Sequence, residues 1–128
     1  YVRIAATDQV WPEPQAVDAF IEFYRTLPDT PVWLHFHCHA GHGRTTTFMA
    51  IYDMLRNPSL EVESVAWRQY LLGGSNLLSR PDDSDTGWQA EAGRERIAKL
   101  YLLHTYMQEQ QPAGFAVSWS DWLAAHEE

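Results

Sequence analysis

The residues best suited to chemistry form one short stretch, His37-Cys38-His39-Ala40-Gly41-His42-Gly43-Arg44-Thr45. A loop of this length with two glycines can turn its backbone N–H groups toward one centre, where a following helix N-terminus adds positive potential. Phosphate fits such a nest, and the same groups would stabilise the Cys38 thiolate as a nucleophile. Arg44 can bind two phosphate oxygens through its planar guanidinium. The stretch predicts a phosphate-binding loop; the alternative is a buried structural thiol before a glycine-rich helix cap.

The spacing of Cys38 and Arg44 resembles the loop of the protein-tyrosine-phosphatase (PTP) superfamily, usually His-Cys-x-x-Gly-x-Gly-Arg-[Ser/Thr]. Further blocks along nearly the whole chain look like the bacterial cysteine phytases of that superfamily, the PTP-like inositol-polyphosphate phosphatases. These blocks are Ile4-Ala5-Ala6-Thr7-Asp8, Trp33-Leu34-His35-Phe36-His37-Cys38, Gly43-Arg44-Thr45-Thr46-Thr47, Trp67-Arg68-Gln69 with Gly73-Gly74, and Trp119-Ser120-Asp121-Trp122-Leu123.

The resemblance implies an enzyme that removes phosphates stepwise from myo-inositol hexakisphosphate, without a metal or another cofactor. Cys38 would form a phosphocysteine while Arg44 binds the reacting phosphate. Thr45 would donate a hydrogen bond to the departing thiolate, although it could also be only a first-turn helix cap. The loop residues expected to bind substrate are His39, Ala40, Gly41, His42 and Gly43. His37 is expected to support the loop.

The general acid of this family is an aspartate on a loop some thirty residues before the cysteine. It protonates the leaving alkoxide as the phosphocysteine forms. Asp8 lies 30 positions before Cys38, in a loop that ends the first predicted strand. Asp18, on a helix, and Asp29, in a turn, are the alternatives, and Asp8 could be only an N-cap or Asx-turn residue. We expect Asp8 to be the acid, and then the base for the attacking water.

Two loop positions depart from the phytase pattern His-Cys-Glu-Ala-Gly-Val-Gly-Arg. His39 and His42 replace the glutamate and the valine, which places two titratable side chains at the predicted phosphate site. Lipid phosphatases of the superfamily have lysines there to hold further phosphates, so the histidines would provide a pH-dependent contact of that kind. The alternative is that either ring points away and hydrogen-bonds the backbone. Gln9 replaces the histidine that commonly follows the acid, which calls a cationic substrate contact there into question.

Gln69 and Arg80 are further candidates. Gln69 belongs to a family block and could orient the hydrolytic water, but on a helix it is equally suited to bracing the loop. Arg80 lies in a loop where the family tends to offer a cation to a peripheral phosphate; an ordinary solvated arginine is the alternative. His35, His37 and His39 alternate as zinc ligands can, but no carboxylate or second cysteine is near, so we expect no metal.

Hydrophobic periodicity predicts the elements that must position these groups. Alternating β-forming residues predict strands from Tyr1 to Ala6 and from Val32 to His37. The polar stretch from Ser75 to Gly87 is predicted to be a loop. Apolar residues at helical spacing predict five helices, from Gln15 to Leu27, Thr46 to Arg56, Glu63 to Leu72, Trp88 to Gln110 and Ser120 to Ala125.

The order strand, helix, strand favours a parallel sheet. We therefore predict an α/β fold in which a parallel-type sheet is flanked by helices and the Cys-x5-Arg loop follows the second strand. Two strands are marginal by themselves. The expectation is that residues 1–128 are the C-terminal catalytic part of a single PTP-like phosphatase domain, and that a missing N-terminal segment of the same domain completes the sheet.

The chain is acidic, with 9 Lys+Arg, 17 Asp+Glu and a net charge of −8 at pH 7. This charge argues against nucleic acid as a partner. The sequence has no run of about 18 apolar residues, so it predicts no transmembrane segment. The acids are unevenly spread, however, because no carboxylate lies between Asp29 and Asp53, a window that holds Arg44 and four of the six histidines. A locally positive pocket is therefore compatible with an acidic surface. The resemblance suggests a bacterial protein, secreted, periplasmic or delivered to a host, but no signal segment is visible.

Three functions are open at this point. The first is an inositol-polyphosphate phosphatase, the second a protein-tyrosine or dual-specificity phosphatase with the same loop, and the third a catalytically silent phosphoinositide-binding module. A binding module needs neither Cys38 nor Asp8, so the presence of both argues against the third. The wider resemblance favours the first.

Overall fold

Five helices make up the regular secondary structure of the computed structural model, which describes residues 1–127. Helix α1 spans Pro14–Arg25, α2 Gly43–Arg56, α3 Val62–Leu71, α4 Trp88–Gln110 and α5 Trp119–His126. None of these helices combines the length and the apolar character needed to cross a membrane.

The predicted α/β fold with a parallel-type sheet is wrong for the described residues, because residues 1–127 contain helices and no strand. Residues 1–6 and 32–37 run instead without regular secondary structure, and no backbone hydrogen bond described for residues 1–127 joins the two segments. An alternating pattern rich in β-branched residues indicates only that the side chains would suit the surface of a pleated sheet. A strand forms only where its N–H and C=O groups pair with a neighbouring backbone, and that pairing is not present here.

The helix predictions agree with the structure to within three residues. Helix α4 has the predicted bounds, and α1, α3 and α5 differ from theirs by at most two residues at either end. Helix α2 begins at Gly43 rather than at the predicted Thr46, so Arg44 and Thr45 belong to its first turn. Residues 75–87 form a loop, as predicted.

Apolar side chains of all five helices meet in one core. Helix α2 contributes Ile51, Met54 and Leu55, which are almost completely buried, and it packs against α3 and α4. Burial of this apolar surface is the main stabilising term for such a fold. The position of α2, and of the loop that precedes it, therefore depends on core packing. The largest fully buried side chains are Trp119, Tyr106, Ile51, Met54, Leu55, Leu77, Leu100, Leu103 and Met107.

Polar contacts fix the parts of the chain that surround this core. The Asp18 carboxylate of α1 accepts hydrogen bonds from Ser120 Oγ at 2.5 Å and Ser120 N at 3.2 Å, at the N-terminus of α5. Arg96 Nε of α4 donates to the Leu77 carbonyl at 3.0 Å, and Arg94 donates to two further carbonyls of the loop that precedes α4. The long loop is thus held to α4 by its backbone.

Replacing Leu103 with alanine tests whether α4 is a central core element. Leu103 is 0% exposed, so Leu103→Ala leaves a cavity and should lower the free energy of unfolding by about 2–5 kcal/mol. Leu71→Ala removes the same atoms from a side chain that is 65% exposed and should change it by less than about 0.5 kcal/mol. Urea unfolding of the purified variants measures both; equal losses would contradict the described core.

Candidate active site

The loop from Cys38 to His42 leads directly into α2. Gly41 has a φ of 76°, in the left-handed region that glycine adopts without strain, and the Thr46 N–H donates to the His42 carbonyl at 2.7 Å. No acidic residue occupies the first turn of α2. The first turn of α2 thus adds no negative charge of its own at the positive end of the helix dipole, which favours an anion at this terminus.

The Cys38 sulfur lies against the first turn of α2, where Thr45 Oγ1 donates to it at 3.1 Å. Burial raises the pKa of the Cys38 thiol, but hydrogen bonds from the Thr45 hydroxyl and from the backbone N–H groups of Thr45, Gly41 and Ala40 outweigh burial. Together they lower the pKa from its ordinary value of 9.0 to about 7. A large fraction of this thiol is therefore thiolate near neutral pH, as nucleophilic chemistry requires.

Arg44 connects this loop to the segment that carries Asp8. Its Nε lies 3.5 Å from Asp8 Oδ1, and its Nη1 donates to the Ala6 carbonyl at 3.4 Å. The Nε is buried and makes no hydrogen bond of good geometry, and the Asp8 side chain is 63% exposed, so the ion pair adds little to stability. Its significance is positional, because it brings the expected acid beside the expected phosphate-binding guanidinium.

The backbone turn after Asp8 reverses at Gln9, whose φ of 65° is unusual for a residue with a side chain. Trp11 then enters the core as a buried side chain. The Asp8 loop is thus held by Trp11 at one end and contacted by Arg44 at the other. Sequence reasoning did not single out Trp11; the available signal was a large apolar residue inside an otherwise polar, proline-rich turn.

His37 and His39 line one cleft together with Cys38, Arg44 and Thr45. The cleft has a volume of about 750 Å³ and lies between residues 1–6 and 33–39. Its walls also include Phe20, Phe23 and Phe48, which offer no partner to phosphate. The cleft can therefore hold phosphate beside its thiol and guanidinium groups and not against its aromatic walls.

The two loop histidines differ in placement. His39 lines the cleft, whereas His42 is the exposed N-cap residue of α2 and does not line it. Of the other loop residues, Ala40 and Gly41 direct their backbone N–H groups to the Cys38 sulfur, and Gly43 is the first residue of α2.

Gln69 and Arg80 lie apart from the thiol in this structure. Gln69 is buried between α2 and α3, where its Nε2 donates to Asp53 Oδ2 at 3.4 Å. Arg80 is exposed in the loop before α4, close enough to influence Tyr101 electrostatically. Neither side chain lines the cleft that contains Cys38.

The two alternative acids also lie elsewhere. Asp18 accepts both of its hydrogen bonds from Ser120 of α5, and Asp29 is exposed in the turn that follows α1. Of the three aspartates, the structure places Asp8 beside Arg44. Across residues 1–127 no group of three or more His, Cys, Asp or Glu side chains is arranged to hold a metal ion.

Comparison with known proteins gives consistent matches. The profile of the PTP-like phytase family matches residues 1–56, and the description of that family names inositol hexakisphosphate. The chain is 43% identical, with a TM-score of 0.89, to the PTP-like myo-inositol phosphatase of Mitsuokella multacida solved in complex with myo-inositol-(1,3,4,5)-tetrakisphosphate. It is 39% identical, with a TM-score of 0.85, to a PTP-like phytase of Bdellovibrio bacteriovorus, and 32% identical to the effector protein hopD2 of Pseudomonas syringae pv. tomato.

Each of these three comparisons covers 97% of this chain but a smaller part of the other protein. The chain spans 21% of the Mitsuokella chain, 47% of the Bdellovibrio chain and 26% of hopD2. The match includes the Cys38 loop and the Asp8 segment, both inside the part that the family profile covers. Residues 1–56 thus match the PTP-like phytase family, and over 97% of its length the chain is similar in sequence and structure to PTP-like phytases of the protein-tyrosine-phosphatase superfamily.

Proposed function

We propose that this chain carries the catalytic centre of a cysteine-dependent phosphatase that acts on myo-inositol hexakisphosphate and lower inositol polyphosphates. The observation that carries the proposal is the Cys38 thiol, whose pKa is lowered to about 7 at the N-terminus of α2, next to Arg44. The inositol tetrakisphosphate complex of the Mitsuokella relative supports this substrate class.

In the first step, the Cys38 thiolate attacks the phosphorus of a phosphate ester. The S–P bond forms as the P–O bond to the inositol ring breaks, and Asp8, as the carboxylic acid, gives its proton to the leaving oxygen. The products are a phosphocysteine and an inositol hydroxyl group. The contact between Asp8 and Arg44 is what places the acid near the phosphate in this scheme.

In the second step, water attacks the phosphocysteine and Asp8, now a carboxylate, accepts the proton of that water. The S–P bond breaks, inorganic phosphate leaves and the thiolate is restored. The Thr45 hydroxyl favours this step because it donates to the sulfur at 3.1 Å and stabilises the charge that returns to it. Arg44 and the loop N–H groups stabilise the equatorial phosphate oxygens in both steps.

The same proposal includes the place of this chain in a larger domain. Residues 1–128 would be the C-terminal catalytic part of one phosphatase domain, because the Mitsuokella and Bdellovibrio relatives are longer and large apolar side chains here face solvent. Tyr1 is 98% exposed and Trp33 94% exposed, which is unusual for aromatic residues unless further polypeptide covers them.

Substrate preference provides the first test of the proposed function. The full-length protein should release phosphate from myo-inositol hexakisphosphate with a kcat/KM at least about tenfold above that for a phosphotyrosine peptide, because additional phosphates can contact the loop cations. Phosphate release under matched conditions measures both values. A much higher kcat/KM for the peptide would instead indicate a protein-tyrosine or dual-specificity phosphatase.

Cys38→Ser and Asp8→Asn test the two chemical roles. Cys38→Ser should reduce kcat by about a thousandfold or more while inositol hexakisphosphate still binds, because serine is far less ionised at neutral pH. Asp8→Asn should slow the hydrolysis of inositol phosphates by about a hundredfold or more and hardly affect p-nitrophenyl phosphate, whose leaving group needs no proton. Asp29→Asn is the matched control with wild-type rates. Full activity in Cys38→Ser would rule out the covalent route.

Replacing the loop histidines one at a time tests whether they bind substrate. His39→Asn or His42→Asn should lower the affinity for inositol hexakisphosphate, measured by calorimetry with the Cys38→Ser protein, by about two- to fivefold. His126→Asn, an exposed histidine of α5, is the control. An affinity unchanged in both loop variants would show that neither ring binds phosphate.

A further inference from the structure

Three consecutive threonines in the first turns of α2 use their hydroxyl groups in three different ways. Thr45 Oγ1 donates to the Cys38 sulfur, and Thr47 Oγ1 donates to the Gly43 carbonyl of its own helix at 2.9 Å. Thr46 is 2% exposed, and its Oγ1 accepts a hydrogen bond from the Ser75 N–H at 3.0 Å. Successive side chains point in different directions around a helix. The first turn of α2 is therefore bonded to the thiol on one face and to the turn after α3 on another.

The turn after α3 approaches Thr46 so closely that only glycine fits at position 74. A Cβ atom on Gly74 would lie 2.8 Å from Thr46 Oγ1 and 2.8 Å from the Gln69 carbonyl. The Gly74 N–H donates to that carbonyl at 3.0 Å, which connects the turn to the end of α3. The contact thus joins the backbone of one element to a buried side chain of another, with no flexible group between them.

A second polar contact joins the same two helices further along α2. Asp53, seven residues after Thr46 and therefore near the same face of the helix, is buried and lies 3.3 Å from Arg68 Nε and 3.4 Å from Gln69 Nε2. Asn57 Nδ2 also donates to this carboxylate at 2.7 Å. Because a buried carboxylate without partners is costly, these contacts specify how α3 lies against α2.

We propose that Thr46 is a positioning residue for the catalytic loop. By bonding the first turn of α2 to the Gly74–Ser75 backbone, Thr46 holds Thr45 and Arg44 in the places where they meet the Cys38 sulfur and the substrate phosphate. The catalytic part of this inference rests on the proposed function. Its geometric part, the placement of Thr45 against the sulfur, does not.

Thr46→Val removes the hydroxyl group and keeps nearly the same shape. The Ser75 N–H then loses the Thr46 hydroxyl as its acceptor. We expect the turn after α3 to move away from α2 and the first helical turn of α2 to relax. Since several of the donors to the Cys38 sulfur belong to this turn or the adjoining loop, even a small displacement weakens them. Displacements of about 1 Å near a reacting group are known to cost up to a hundredfold in rate.

The test is the pH profile of Cys38 alkylation by iodoacetamide, in which Cys38 is the only thiol of residues 1–128. In the wild-type protein the rate should rise with pH through a midpoint of about 7, because only the thiolate reacts. Thr46→Val should move this midpoint upward and lower kcat on inositol hexakisphosphate about tenfold, with less than a twofold change in KM. Thr45→Val, which removes the direct donor, shows the direction of the shift.

Two variants separate positioning from general stability. Thr46→Ser keeps the hydroxyl and should restore both the midpoint and kcat. Thr105→Val removes a hydroxyl that donates to the Tyr101 carbonyl within α4, far along the chain from the loop, and should leave both unchanged. A folded Thr46→Val protein with the wild-type alkylation profile would overturn the proposal, even if it unfolds at a lower urea concentration.

The outcomes remain distinct if a variant or the proposed function fails. Should Thr46→Val not fold, Gly74→Ala displaces the same contact from the other side and should also raise the midpoint; an unchanged midpoint would overturn the proposal. Should the wild-type protein release no phosphate from any phosphomonoester, the proposed function fails, while the alkylation profiles of the variants still decide whether Thr46 positions the loop.

Discussion

The negative charge on the Cys38 sulfur is the constraint on which the rest of the site depends. Partial burial disfavours that charge, and the pKa is lowered only because the Thr45 hydroxyl and three backbone N–H groups point at the sulfur together. Hydrogen-bond donors act over short distances and in narrow angular ranges. The charge on the Cys38 sulfur therefore requires that α2 be held accurately in place. The core side chains of α2 and its polar contacts with α3 hold the helix there.

Opposite charges meet beside the sulfur in a protein that is acidic as a whole. Arg44 contacts the Asp8 carboxylate and the Ala6 carbonyl, while the sequence between Asp29 and Asp53 contains no carboxylate. The ion pair is weak by itself because its carboxylate is exposed, so a phosphate with two or more negative charges can compete for the guanidinium. The net charge of −8 describes the outer surface and does not describe this local environment.

Helices could be predicted well and the sheet could not, for one physical reason. The hydrogen bonds of α4 lie within the helix, so its bounds follow from local periodicity and from the residues at its ends. A strand needs a second backbone, and residues 1–6 and 32–37 do not pair with each other in the described part of the chain. The start of α2 was also predicted too late, because Gly43 and Arg44 resemble loop residues until the core and the His42 carbonyl hold them in a helical turn.

The spacing of Cys38, Arg44 and Asp8 was visible in the sequence because the proposed nucleophile and its cation lie on one short loop and the proposed acid lies at the distance that the family resemblance implies. Residues that approach the loop from distant parts of the chain were not visible in this way. Gln69 is buried against Asp53 instead of facing the cleft, and Arg80 lies in the loop before α4 and does not line that cleft. Thr46 contacts a backbone 29 residues away. The residues of a single loop that can do chemistry are therefore visible in their order along the chain. The residues that hold this loop in place are decided by packing, because only folding brings separate segments within hydrogen-bond distance.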